Sequence, residues 1–207
     1  MMIVLEGIDG SGKSTHLEFL RRCASARGGE VVLTREPGGC PLAERLRHEV
    51  LQTPMDSLTE LLLVFAARRA HLAQTVWPAL ARGACVISDR YVDSTYAYQG
   101  GGRGLPWETI TQLTTLVEGD WGGPSKVIYF DCPPEVAAAR RAGRASTQDQ
   151  TIALTDRFDA ETVAFFDRVR AGYREAAARR GERAVWVDAT QPISVIEKLL
   201  EEKVFNN

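Results

Sequence analysis

Eight residues near the amino terminus, Gly7-Ile8-Asp9-Gly10-Ser11-Gly12-Lys13-Ser14, have the spacing G-x-x-x-x-G-K-[ST]. Glycines so placed let the backbone turn back and aim successive N–H groups inward. With the positive end of a following helix, those donors hold a polyphosphate. Lys13 would reach the outer phosphates as a point charge, and the Ser14 hydroxyl would ligate Mg²⁺. Gly7 through Thr15 therefore offers a phosphate-binding loop (P-loop) suited to a nucleotide. Such a loop needs a buried strand before it and a helix after it. Ile3-Val4-Leu5 reads as the strand, and Leu17, Leu20 and Ala24 form one face of the helix.

Other candidate groups cluster after apolar runs. Asp89 ends the run Cys85–Ile87 and suits a Walker-B-like partner for Mg²⁺, with Arg90 beside it to grip a second phosphate. Arg35-Glu36-Pro37-Gly38-Gly39 forms a shaped loop carrying an acid and a base. Arg47 lies near the middle of the next helix; Arg45 and Arg47 also fit a solvated face. Ser57-Leu58-Thr59-Glu60 has the pattern of a capping box opening a long helix. On that helix Phe65 and Arg69 are four apart and share a face. A ring beside a guanidinium suits a planar base, although Phe65 also fits plain core packing. Tyr96-Ala97-Tyr98-Gln99 leads into a glycine-rich run from Gly100 to Gly104, which implies backbone freedom or close approach to a ligand. Arg140, Arg141, Arg144 and Arg157 punctuate a polar stretch that suits a lid over the phosphates, or a solvated basic turn.

The elements that must carry these groups alternate. Short β-branched runs at Ile3–Leu5, Val31–Leu33, Cys85–Ile87, Val127–Phe130 and Val185–Val187 are separated by amphipathic helices. That predicts an α/β fold: a five-stranded parallel sheet with helices on both faces, of the P-loop NTPase type, with a small basic lid at about 140–157. Ligands then sit beyond the carboxyl ends of the strands. The 207 residues predict one domain, 1–207. A net charge of −2 gives no pull toward nucleic acid or anionic lipid, and no run of apolar residues is long enough for a membrane span. The start resembles no secretory signal. Four scattered cysteines, without a C-x-x-C pair, read as reduced thiols of a cytoplasmic protein.

Taken together the chain resembles the thymidylate kinases, a family of P-loop nucleoside monophosphate kinases. The resemblance rests on Asp89-Arg90-Tyr91-x-x-Ser94-x-x-Ala97-Tyr98-Gln99-Gly100-x-Gly102-Arg103-Gly104, on Thr34 to Gly39, on Phe65-x-x-x-Arg69 and on Asp156-Arg157-Phe158, in the family's order. It implies transfer of the γ-phosphoryl of ATP to dTMP, with Mg²⁺ held by Ser14 and Asp89. Lys13, Asp9, Arg90 and a lid arginine would be catalytic. Asp9, Glu36, Arg47, Phe65, Arg69, Arg90, Thr95, Tyr98 and Gln99 would bind dTMP: Phe65 stacking on thymine, Arg69 donating to O4, Tyr98 crowding the 2′ position. Position 10 is Gly, so the P-loop carries no Arg and the lid must supply the cation. Arg140, Arg141, Arg144 and Arg157 are candidates, with Arg144 favoured; the long segment Ala145–Thr155 leaves the choice open. Asp159 stands where Glu is usual. Thr190-Gln191-Pro192 resembles the loop flanking adenine. The family's homodimer is implied as well, through helix packing.

A nucleoside kinase on the same fold would need a general base for a hydroxyl, whereas Arg47, Arg90 and the basic lid suit an acceptor that is already anionic. A GTPase would need N-K-x-D, and a transporter ATPase an L-S-G-G-Q-like segment; neither occurs.

Overall fold

In a computed structural model, residues 1–145, 157–158 and 160–206 are described, with the side chains of 144 and 145 excepted. Five parallel strands form one sheet: β1 (Met2–Glu6), β2 (Val31–Arg35), β3 (Cys85–Asp89), β4 (Lys126–Asp131) and β5 (Ala184–Asp188), in the order β2-β3-β1-β4-β5. The predicted runs are extended by a residue or two at their ends. β1 is buried along its whole length, as expected of a central parallel strand covered on both faces. Its register pairs Leu5 with Asp89 on one side and Glu6 with Tyr129 on the other. β2 pairs Arg35 with Asp89, and β4 pairs Asp131 with Asp188. The strand ends therefore put five polar residues, Arg35, Glu6, Asp89, Asp131 and Asp188, along one edge, where ligands of such sheets bind.

Helix α1 (Lys13–Ser25) follows the loop and buries His16, Leu20 and Ala24. Helices α2 (Pro41–Gln52) and α3 (Ser57–His71) follow β2, and short α4 (Trp77–Ala81) leads into β3. After β3 come α5 (Val92–Thr95), a π-helical stretch (Tyr96–Gly102) and α6 (Trp107–Glu118). Helix α7 (Pro134–Ala145) follows β4, α8 (Val163–Arg180) precedes β5, and α9 (Ile193–Leu200) lies near the carboxyl end.

Three expectations are corrected at this level. Asp56, not Ser57, caps α3: its Oδ1 accepts from Leu58 N at 2.9 Å and Thr59 N at 3.0 Å. Glu60, expected in a capping box, is instead buried. The glycine-rich run makes its close approach to a helix: a Cβ at Gly101 would meet Arg168 O at 2.7 Å. The π-helical stretch packs there against α8.

Candidate active site

Beyond the carboxyl end of β1, the loop from Gly7 to Thr15 wraps onto α1. Gly10 has φ +89°, and a Cβ there would overlap the Ala137 carbonyl of α7. No side chain fits at that position, which gives a steric reason for the loop's lack of an arginine. Lys13 is buried, and its Nζ donates to Gly7 O at 2.8 Å and Ile8 O at 3.3 Å. Burial, reinforced by the Arg90 charge, lowers its ammonium below the ordinary lysine range. Phosphate oxygens would replace those carbonyls as partners of the ammonium. Asp9 is half exposed, and its Oδ1 accepts from Arg90 Nη2 at 2.8 Å with Lys13 at 4.0 Å. Desolvation opposes ionisation of Asp9, but Arg90 and Lys13 hold its carboxyl below the usual aspartate range.

Arg90 has the positive φ of 74° that turns its side chain back toward the loop. Its Nη1 donates to Ser94 Oγ at 3.0 Å and Tyr173 OH at 2.7 Å. Beneath it, Glu6 ends β1 and fastens the turn after β3. Glu6 Oε1 accepts from Tyr91 N at 2.8 Å and Ser94 N at 3.2 Å, and Oε2 accepts from Ser94 Oγ at 2.5 Å. Burial and the neighbouring Asp93 push the Glu6 carboxyl up to about 7, against the pull of the Ser94 hydroxyl and Arg90. The sequence pointed to Arg90, but it held no sign of this buttress.

A solvent-open cleft with a cavity volume of about 160 Å³ adjoins the loop. Asp9, Glu36, Arg47, Arg90, Thr95, Tyr98 and Gln99, all predicted, line it together with Val64, Arg68 and Phe158. Phe65 and Arg69 do not line it. The α3 residues that face the cleft are instead Val64 and Arg68, each one position earlier in the chain. Arg69 instead donates to Val117 O at 3.3 Å and lies 4.6 Å over the Trp77 ring. Phe65 is core, with the Arg68 guanidinium 4.8 Å over its ring. Arg68, 2% exposed, donates from Nε to Glu36 Oε2 at 2.8 Å and from Nη2 to Thr95 Oγ1 at 2.9 Å. Its Nη1 is buried without a partner among the described residues. An orphaned charged donor on a cleft wall asks for an acceptor from a ligand. Glu36 in turn accepts from His71 Nδ1 at 2.8 Å, and His71 Nε2 lies 2.7 Å from Thr34 Oγ1. Arg68 is thus held from behind by a buried chain that no sequence motif announced.

Asp89 Oδ1 is likewise buried without a partner among the described residues. It stands beside the loop, with exposed Ser14 at the start of α1. Among the described residues no group of three or more His, Cys, Asp or Glu could hold a metal. A cation here would take two oxygen side chains and complete its shell from phosphate and water, a set that suits Mg²⁺.

The segment expected to form a lid, about 140–157, is only partly described. Arg140 donates to Ala189 O at 2.8 Å and Ser11 O at 3.4 Å, and Arg141 donates to Asp9 O at 2.7 Å. Both therefore lean over the P-loop. Arg157 bonds Glu60, away from the loop. The Arg144 side chain, Asp156 and Asp159 lie outside the described residues.

Residues 5–200 match the family model for thymidylate kinase. A thymidylate kinase of Pseudomonas fluorescens (strain SBW25) is 50% identical over 205 residues, covering 97% of this chain and 93% of that protein. One from Burkholderia thailandensis is 47% identical over 203 residues, covering 96% and 94%. The crystal structure of thymidylate kinase from Ehrlichia chaffeensis superposes with a TM-score of 0.76 at 32% identity, covering 98% of this chain and 96% of that one.

Proposed function

The chain belongs to the thymidylate kinase family, and on that premise we propose how its residues transfer the γ-phosphoryl of ATP to dTMP, giving dTDP and ADP. The P-loop amides from Gly7 to Thr15 hold the donor's phosphates, and Lys13 leaves the Gly7 and Ile8 carbonyls for their outer oxygens. Ser14 and Asp89 would hold Mg²⁺, which when bound would neutralise charge on the donor phosphates. The observation that carries the reading is Arg90. One guanidinium bonds the P-loop Asp9 and also lines the acceptor cleft. A phosphate gripped by Arg90 and Arg47 would therefore lie beside the donor's terminal phosphate, which is most of what this reaction needs.

The base lies at the other end of the cleft. There the unpartnered Arg68 Nη1 donates to thymine O4, and Thr95 and Gln99 complete the ring's polar edge. Val64 covers the ring where an aromatic was expected. Tyr98, packed edge-on to Phe158 at 5.5 Å and Tyr173 at 6.3 Å, crowds the 2′ position. Glu36 acts through Arg68. Arg144 follows Arg141 and Arg140 by three and four residues in the α7 sequence, and on that helical spacing we assign the lid cation to Arg144.

The family's homodimer suits the exposed Leu58 and Leu62 of α3 and Leu116 of α6, two helices joined by Arg69 and Val117. Four free thiols suit action in the cytoplasm. No helix of the described residues is long and apolar enough to cross a membrane. No partner beyond ATP, dTMP and a second copy is invoked, neither nucleic acid nor membrane. ADP release with dTMP, dCMP, thymidine and no acceptor tests the reading. Release that depends on dTMP and fails with thymidine supports it; equal release without acceptor contradicts it.

A further inference from the structure

Behind the cleft, Glu60 is 1% exposed and touches nothing that reacts. Its Oε1 accepts from Gln99 Nε2 at 2.7 Å. Its Oε2 accepts from Arg157 and lies 3.4 Å from Arg103 Nη2. A carboxylate offers no hydrogen, so Gln99 can turn only its NH₂ to Glu60. The carbonyl of Gln99 is what remains for the cleft that Gln99 lines.

We propose that Glu60 is a positioning residue that sets the acceptor-base preference by fixing the Gln99 side-chain amide with its oxygen toward the base. The ligand class this selects is a pyrimidine monophosphate with a hydrogen on ring nitrogen N3. Thymine and uracil donate there, whereas cytosine presents a lone pair to the Gln99 oxygen. The unpartnered Arg68 Nη1 works in the same sense, since it wants an oxygen at position 4. This inference rests on the assignment of the cleft to dTMP.

Glu60→Gln tests it, because the arginines decide how the new amide lies. Arg157 and Arg103 are donors only, so they claim the oxygen of the introduced amide and leave its NH₂ facing Gln99. Gln99 must then turn its carbonyl outward from the cleft and its NH₂ inward. The ratio of kcat/KM for dTMP over dCMP should fall by about tenfold, mainly in KM, with dUMP following dTMP. Arg157→Ala, which removes the anchor but keeps Glu60, should leave the ratio within about twofold. Equal losses on dTMP and dCMP in Glu60→Gln would reduce Glu60 to a structural anchor and overturn the proposal. Should Glu60→Gln not fold, a crystal of the unmutated protein with dTMP decides. One Gln99 amide atom within about 3.2 Å of Glu60 and the other within about 3.2 Å of N3 support it; an amide swung off Glu60 overturns it. An unmutated protein that prefers dCMP, or binds neither, refutes the cleft assignment instead.

Discussion

Arg68→Lys, set beside Arg69→Ala, separates two neighbouring guanidiniums that sequence spacing alone confuses. Arg68 spans three directions at once: Nε to Glu36 at 2.8 Å, Nη2 to Thr95 at 2.9 Å, and Nη1 unpartnered among the described residues. Lysine keeps the charge beside Glu36 but cannot also fork toward the cleft. The variant loses one charge-assisted hydrogen bond to the base, worth about 1.5–3 kcal/mol. That corresponds to a rise of roughly 10- to 150-fold in the KM for dTMP, with kcat little changed. Lysine is preferred to leucine because Glu36 is 2% exposed. Stranding it would cost about 3–5 kcal/mol of stability and confuse the result. Arg69, on the Trp77 ring and the Val117 carbonyl, is outside the cleft, so Arg69→Ala should keep KM within about twofold. A coupled assay of ADP release across dTMP concentrations reads both. A large KM rise in Arg69→Ala with none in Arg68→Lys would refute the assignment of the α3 face.

Other outcomes can be checked alongside. Lys13→Ala should lower kcat by about 10²- to 10³-fold while dTMP affinity, read by calorimetry, stays unchanged; a near-normal rate would remove the P-loop lysine from the chemistry. Asp89→Asn should raise the Mg²⁺ concentration for half-maximal turnover by about tenfold, and an unchanged Mg²⁺ titration would leave its orphaned oxygen without this role. Glu6 ionises at about 7 in the fold against an ordinary 4.5, so the stability it contributes is complete below the lower value and is lost as pH rises to the upper one. The difference amounts to roughly 3 kcal/mol, and Glu6→Gln should flatten the pH dependence of the urea midpoint over that window. A midpoint equally pH-dependent in Glu6→Gln would place the titration elsewhere.

Much of this architecture could be read from residue types. Each strand is a short β-branched run, and the loop glycines, Lys13, Asp89 and Arg90 sit at strand ends because that is where a parallel sheet opens to ligand. Strand order could not be read, since β1 lies between β3 and β4 through contacts distant in sequence. Arg68 and Arg69 are adjacent, and their faces are led by Leu61 and Leu62, seven residues earlier. Both are leucines, but Leu61 is buried and Leu62 is half exposed. Composition therefore could not choose the face, and packing of Leu61 into the core did. The cap of α3 shows the same ambiguity. Asp56 and Ser57 can each cap a helix, and the choice of Asp56 frees Glu60 to turn inward onto Gln99. The buried supports, Glu6 under Ser94 and His71 behind Glu36, carry no local signature because their partners lie far along the chain.

Phosphorus NMR of the protein mixed with ATP, Mg²⁺ and dTMP follows the transferred group itself. The phosphate resonances of dTDP should grow in step with those of ADP, with no inorganic phosphate. ADP accompanied by free phosphate, with dTMP untouched, would mean that the two phosphate tails do not meet in this cleft.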